Sequence, residues 1–242
     1  MSAASAPIAE RLAAVRAEIG AAAREAGRDP SAVELVVVTK TRTATEIAAA
    51  ISAGAHLLGE NYVQEARRKI PEVEALLPGH GARWHVIGPL QTNKAKYVPG
   101  TFAAVESVDR VELADALAKR AAAAGLVLPV LIQVNVGREP QKAGVLPEGL
   151  AALLESLAGM ASLAIGGLMA IPPECDDPAD ARPYFRALAE SARRLSGRGL
   201  LPPAPVLSMG MSHDFAAAIA EGATRVRVGT AIFGPRPTGA EE

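Results

Sequence analysis

The stretch VELVVVTK, residues 33–40, is a run of mostly apolar, β-branched residues that ends in a lysine. It is too short for a typical helix and is typical of a buried parallel strand. Because side chains alternate along a strand, Val36, Val38 and Lys40 share one face. An apolar wall favours the neutral form of an amine, which suits formation of a Schiff base. The alternative is that Lys40 extends its ammonium group into water at the strand end.

The composition limits the classes of protein to consider. The chain has 242 residues, of which 50% are hydrophobic, and this fits one domain over residues 1–242. The formal net charge is -1 and only 3% of residues are aromatic, so we expect no nucleic-acid partner. The single cysteine, Cys175, allows no intramolecular disulfide. The sequence shows no signal peptide and no membrane span, so we expect a cytoplasmic protein with no membrane partner.

Strand-like and helix-like segments alternate along the whole chain. An amphipathic helix is predicted over residues 7–26. Eight strands are then predicted, at residues 33–40, 56–59, 84–88, 102–107, 129–136, 163–170, 206–209 and 225–233. Helices are predicted between them, at residues 45–52, 61–77, 91–98, 109–124, 147–158, 179–196 and 212–221, and none after the last strand.

Eight alternating units predict an α/β fold, the TIM (β/α)8 barrel, with the extra N-terminal helix completing the outer ring. The rival is an open doubly wound sheet. No G-x-G-x-x-G motif follows the first strand, which weakens a dinucleotide-binding fold of that kind. In a TIM barrel the functional residues lie at the carboxyl ends of the strands, and Lys40 ends the first.

The last two strands carry features of an anion site. We predict that Ser212 is the N-cap of the helix at residues 212–221, where free amide groups and a hydroxyl can bind an anion. Gly229 and Thr230 follow the last strand and reach the same rim, which is a frequent phosphate site in this fold. The alternatives are plain capping for Ser212 and close packing for Gly229.

Charged side chains in predicted strands also need an explanation. Arg225 and Arg227 share one face of the last strand. We expect Arg225 to pair with an acid near the strand starts and Arg227 to meet a ligand. His85 lies in an otherwise apolar strand, where a structural role is the alternative to a ligand contact. The four histidines and one cysteine show no spacing for a metal site.

Several motifs in register resemble one known family, the pyridoxal phosphate homeostasis proteins. The resemblance covers nearly the whole chain and is carried by VVVTKT at Lys40, GENYVQEA from Gly59, WHVIGPLQTNKAKY from Trp84, ESVDR from Glu106, QVNVGREPQKAG from Gln133, GLMAIPP from Gly167, LSMGMSHDF from Leu207 and VRVGTAIFG from Val226. The family's fold is similar to the barrel domain of alanine racemase. The resemblance therefore implies an alanine racemase N-terminal-domain-like barrel and pyridoxal 5'-phosphate as the cofactor.

The resemblance also implies roles for particular residues. It implies a Schiff base on Lys40, a phosphate held by Ser212, Gly229 and Thr230, Arg227 facing the pyridine nitrogen, and Asn61 and His85 near the ring. Lys142 occupies the family's second lysine-bearing motif, in a loop where a protonated amine is a poorer partner for an aldehyde.

The expected role of Arg227 bears on function. Arginine is always protonated, so it leaves the pyridine nitrogen unprotonated and weakens the ring as an electron sink. We therefore predict a non-enzymatic, monomeric protein that buffers pyridoxal phosphate or delivers it to apo forms of enzymes that need it. The alternatives are a pyridoxal phosphate-dependent amino-acid racemase or decarboxylase, and a Schiff-base aldolase without the cofactor.

Overall fold

A computed structural model describes residues 5–235 and contains a closed barrel of eight parallel strands in sequence order. The strands are β1 Glu34–Val38, β2 Leu57–Glu60, β3 Arg83–Val86, β4 Ala104–Val108, β5 Leu128–Val134, β6 Leu163–Ala170, β7 Val206–Ser208 and β8 Arg225–Val228. Because β8 pairs with β1, the sheet has no open edge. The predicted TIM barrel is therefore confirmed, and the open doubly wound sheet is wrong.

Helices surround the barrel. They are α1 Ser5–Glu25, α2 Ala44–Ser52, α3 Val63–Leu76, α4 Val111–Ala123, α5 Leu150–Leu157, α6 Arg182–Gly197, α7 Phe215–Ala220 and α8 Thr230–Phe233. A 3-10 helix, Thr92–Tyr97, stands between β3 and β4 in place of the predicted α-helix. The apolar face of α1 is buried against the other helices, as its periodicity predicts. The N-terminal helix thus completes the outer ring.

The side chains on the two faces of β1 pack in two different hydrophobic clusters, as their alternation along the strand predicts. Val36 packs with Leu57, Ile87 and Val38 in a small cluster inside the barrel. Val37 belongs to the large core between the strands and the helices. The strand is shorter than predicted because it ends at Val38, and the chain then turns. The lysine therefore follows the strand in a turn.

The expectation that no helix follows the last strand is wrong. The backbone leaves β8 at Gly229, and α8 forms one turn in which the amides of Ile232 and Phe233 both donate to the Gly229 carbonyl at 2.9 Å. A Cβ at Gly229 would lie 3.1 Å from the carbonyl oxygen of Val38, so the chain packs closely there. Short apolar runs read equally well as strand or helix, which explains the error.

Within residues 5–235, no helix is long and apolar enough to cross a membrane. The same range contains no cluster of three or more histidine, cysteine, aspartate or glutamate side chains that could hold a metal ion. One domain over residues 1–242 stays a prediction, because residues 1–4 and 236–242 lie outside the described part.

Candidate functional site

A cavity of about 630 Å³ opens at the carboxyl ends of the strands. Six of the seven predicted site residues line it: Lys40, Asn61, Ser212, Arg227, Gly229 and Thr230. The seventh, His85, does not line the cavity. Val38, Ile87 and Met211 contribute apolar surface. The barrel thus brings the Lys40 amine, the Arg227 guanidinium and the Ser212 hydroxyl together against an apolar wall.

Lys40 reaches the cavity from a tight turn. The amide of Arg42 donates to the carbonyl of Thr39 at 3.1 Å, which closes a four-residue turn with Lys40 in its second position. Thr41, in the third position, has a φ of 62°. Because φ is positive at Thr41 but not at Lys40, the turn is of type II.

The predicted anion site at Ser212, Gly229 and Thr230, here called the Ser212 corner, has a different local structure from the predicted one. The N-cap of α7 is Asp214, whose carboxylate accepts the amide of Met211 at 2.6 Å. The prediction that Ser212 caps this helix is therefore wrong, because a turn after Gly210, with a φ of 91°, delays the helix start. The Ser212 hydroxyl instead accepts the amide of Ala231 at 3.5 Å, in the first turn of α8. The corner thus combines a hydroxyl with the first amides of α8.

Arg227 presents a buried positive charge to the cavity. Its side chain donates to the hydroxyl of Ser208 and to the carbonyl of Ala170, both at 2.9 Å. Both partners are neutral, and no carboxylate within residues 5–235 lies at ion-pair distance. Burial lowers the pKa of Arg227, although the charges of Glu106 and Asp214 oppose this. A guanidinium in this setting favours an anionic or electron-rich partner in the cavity.

Arg225 pairs with acids, as predicted. Its guanidinium donates to Glu34 Oε2 at 2.6 and 2.9 Å, and Glu34 is the first residue of β1. A third bond of 2.9 Å reaches Glu106 Oε1. The two arginines of β8 therefore differ in role, since one is neutralised by carboxylates and the other lines the cavity.

Glu106 is a buried hub that sequence reasoning missed. Its carboxylate contacts His85 Nδ1 at 2.7 Å and accepts the hydroxyl of Ser208 at 2.5 Å. Burial alone would raise its pKa, but His85, Arg225 and Ser208 together lower it to about 2. The same Ser208 hydroxyl accepts a hydrogen bond from Arg227, so Glu106 supports, through Ser208, the guanidinium that lines the cavity. His85 thus contacts the hub and does not line the cavity.

Lys142 also lines the cavity, on the loop that follows β5. Its ammonium donates to the carbonyl of Pro172 at 2.9 Å and pairs with Glu139. Gln133 secures this loop by donating to the carbonyl of Ala143 at 3.0 Å. Both contacts engage the Lys142 ammonium, and its role as the poorer Schiff-base former stays a prediction.

Gly88 lets two cavity-lining segments touch. A Cβ on this residue would lie 2.6 Å from both the Cα and the carbonyl oxygen of Asn61. We expect Gly88→Ala to lower the free energy of unfolding by about 1–3 kcal/mol, because the Asn61 backbone must move. Gly197→Ala is the control, since nothing lies within 4 Å of its Cβ position. Denaturant unfolding measures both variants, and equal stabilities would contradict the prediction.

The fold and cavity define the class of protein. Residues 11–237 match the family described as alanine racemase, N-terminal domain. The barrel also resembles alanine racemase from Corynebacterium glutamicum, with a TM-score of 0.68 over 96% of this chain and 63% of that chain. At 16% identity this likeness shows the fold alone.

Closer relatives narrow the class. The pyridoxal phosphate homeostasis protein of Aquifex aeolicus is 44% identical over 94% of this chain and 97% of its own length. The structure of PipY from Synechococcus elongatus PCC7942, with pyridoxal phosphate bound, is 37% identical with a TM-score of 0.81, over 94% of this chain and 100% of that chain. The chain belongs to the pyridoxal phosphate homeostasis protein family.

Proposed function

We propose that this protein binds pyridoxal 5'-phosphate in the cavity, as a Schiff base on Lys40, and buffers or delivers the cofactor. The observation that carries the proposal is the convergence of Lys40, Arg227 and the Ser212 corner on one cavity. The PipY relative was solved with the same cofactor bound. Formation of the Schiff base requires the neutral Lys40 amine to add to the aldehyde carbon, with loss of water as the C=N bond replaces C=O.

The donor groups fit the chemistry of this cofactor. The Ser212 hydroxyl and the first amides of α8, near Gly229 and Thr230, suit a phosphate group. The apolar surface of Val38 and Ile87 suits an aromatic ring. In this proposal Asn61 lies near the ring, and His85 acts from behind the cavity wall through Glu106.

Covalent binding can be tested directly. After incubation with pyridoxal phosphate and removal of the unbound cofactor, the protein should retain a near-visible absorbance band, and borohydride reduction followed by peptide mass mapping should place one pyridoxyl group on Lys40. Absence of both signals would overturn the cofactor assignment and would favour the aldolase alternative, which needs no cofactor.

Arg227 argues for a carrier and against a racemase or decarboxylase. We propose that its guanidinium faces the pyridine nitrogen, where a permanent positive charge keeps that nitrogen unprotonated. The bound cofactor supplies an electron sink for carbanion chemistry, and an unprotonated ring nitrogen weakens that property. Relatives that carry the homeostasis name are consistent with this choice. We propose no turnover of amino acids.

The two arginines of β8 allow a matched prediction. We expect Arg227→Ala to change the wavelength and intensity of the near-visible band more than Arg225→Ala does. Arg227 lines the cavity, whereas Arg225 is held by Glu34 and Glu106 behind it. Absorbance spectra of both variants, saturated with pyridoxal phosphate, make the comparison. Equal spectral changes would contradict the assignment of Arg227 to the ring.

Carrier and enzyme can be separated in one assay series. The loaded protein should transfer pyridoxal phosphate to an apo form of an enzyme that requires it, which that enzyme's recovered activity would report. Incubation of the loaded protein with a panel of amino acids should produce neither racemisation nor decarboxylation. Robust turnover that is lost in Lys40→Ala would overturn the carrier assignment.

We further propose that the protein acts as a monomer in the cytoplasm.

A further inference from the structure

The turn that carries Lys40 adopts a conformation that its own sequence disfavours. Thr41 has a φ of 62°, in the left-handed region where glycine or asparagine is usual and a β-branched residue is strained. The Thr41 hydroxyl is buried and finds no hydrogen-bond partner in the described part of the chain, so its side chain does not offset the strain. Interactions from other residues must therefore hold the turn.

A buried lysine of α3 bonds the turn from behind. Lys69 is 4% exposed, and its ammonium donates to the carbonyl of Thr39 at 2.7 Å. This is the carbonyl that also accepts the turn-closing amide of Arg42. The same ammonium contacts Glu60 Oε1 and Glu65 Oε1, each at 2.8 Å. An ammonium has three protons, so these contacts satisfy it completely.

The two carboxylates also bond the turn directly. Glu65 Oε1 accepts the amide of Thr41 at 2.7 Å. Glu60 Oε1 accepts the hydroxyl of Thr39 at 2.6 Å. Hydrogen bonds to charged groups are short and strong, so both residues that flank Lys40 are fixed to one ion cluster. We call Glu60, Glu65 and Lys69 the turn clamp.

We propose that the turn clamp is a set of positioning residues that hold the strained turn and thereby keep the Lys40 amine in the cavity. The inference rests on the proposed function of Lys40. None of the three clamp residues lines the cavity, so their link to Lys40 runs through the turn. Stability alone is a poor explanation for such a cluster, because well-packed apolar residues often stabilise a core as well as buried ion pairs do.

Glu65→Leu tests the clamp by removing the acceptor for the Thr41 amide. Glu65 is the most exposed clamp side chain, at 19%, so this variant perturbs the core least. We expect its affinity for pyridoxal phosphate, measured from the near-visible band, to fall roughly 5- to 150-fold, the range that corresponds to one strained backbone residue. Glu65→Gln keeps an acceptor oxygen and should retain most of the affinity.

A second substitution that relieves the strain at Thr41 should recover the lost affinity. It would not do so if the first substitution had only destabilised the whole protein. Glycine adopts a positive φ without a steric penalty, so Thr41→Gly should restore affinity and pyridoxyl labelling of Lys40 in the Glu65→Leu background. Lys69→Met, alone and with Thr41→Gly, repeats the test by removing the bond to Thr39. Double-mutant analysis then measures the coupling between clamp and turn.

Arg28→Met is the control for stability. Its guanidinium bonds the carbonyls of Ile219 and Ala223 at 2.9 and 2.7 Å, at the opposite end of the barrel. It should lower stability and leave affinity unchanged. Wild-type affinity in folded Glu65→Leu, or no rescue by Thr41→Gly in either background, would overturn the clamp. An unlabelled Lys40 in the wild-type protein would instead overturn the proposed function.

Discussion

After incubation with pyridoxal phosphate and removal of the unbound cofactor, Lys40→Ala protein is expected to show no near-visible band, and borohydride reduction should leave no pyridoxyl group on any residue that lines the cavity. The loss should be complete, because an alanine has no amine to replace the aldehyde oxygen. Absorbance titration and peptide mass mapping measure it. The fold should survive, since Lys40 lies in a turn after β1 and outside both hydrophobic clusters.

Lys142→Ala is the matched control for this experiment, because Lys142 is the other lysine that lines the cavity. Its ammonium is bonded to Pro172 and paired with Glu139, so it should contribute little to the covalent signal. We expect the band and the label on Lys40 to persist in this variant. A label on Lys142 in the Lys40→Ala variant, or a label that disappears equally in both variants, would contradict the assignment of the Schiff base to Lys40.

The barrel could be predicted because its strands are short apolar runs separated by helical patterns. The same property made the predicted end of β8 and the predicted start of α7 wrong. Residues 225–233 read as one strand, yet the chain turns at Gly229 where it packs on Val38. Residues 212–221 are predicted as a helix capped by Ser212. In the structure the carboxylate of Asp214 accepts the amide of Met211, Asp214 is the N-cap, and α7 begins at Phe215. Both decisions depend on contacts between distant segments, which local periodicity does not contain.

The cavity residues could be predicted where they end strands, and the residues behind them could not. Lys40, Arg227 and Gly229 were found because strand ends form one rim in a barrel. Glu60 and Glu106 were missed, although each is a carboxylate in a buried strand and therefore needs a partner. A carboxylate in an apolar strand can be recognised in the sequence. Its partner cannot, because Lys69 and Arg225 come close to these carboxylates only when the barrel closes.

Glu106→Gln is expected to destabilise the protein at pH 7 by about 3 kcal/mol. The carboxylate is fully buried and has a pKa of about 2 in place of the ordinary 4.5. One pKa unit corresponds to about 1.4 kcal/mol of stabilisation of the charged form. Glutamine keeps the shape of the side chain but not the charge that faces Arg225 and supports Arg227 through Ser208.

The pH dependence identifies the charge as the cause. Because the folded pKa of Glu106 is lowered, its contribution is present above pH 4.5 and is lost as the pH falls towards about 2. Urea unfolding should therefore show a large difference between wild type and Glu106→Gln at pH 7 that shrinks progressively below pH 4.5. Glu155→Gln, which removes an exposed pair with Arg198, should change stability by less than about 1 kcal/mol at every pH. A Glu106→Gln difference that stays constant down to pH 2 would mean that packing of the side chain, and not its charge, sustains the hub behind the cavity.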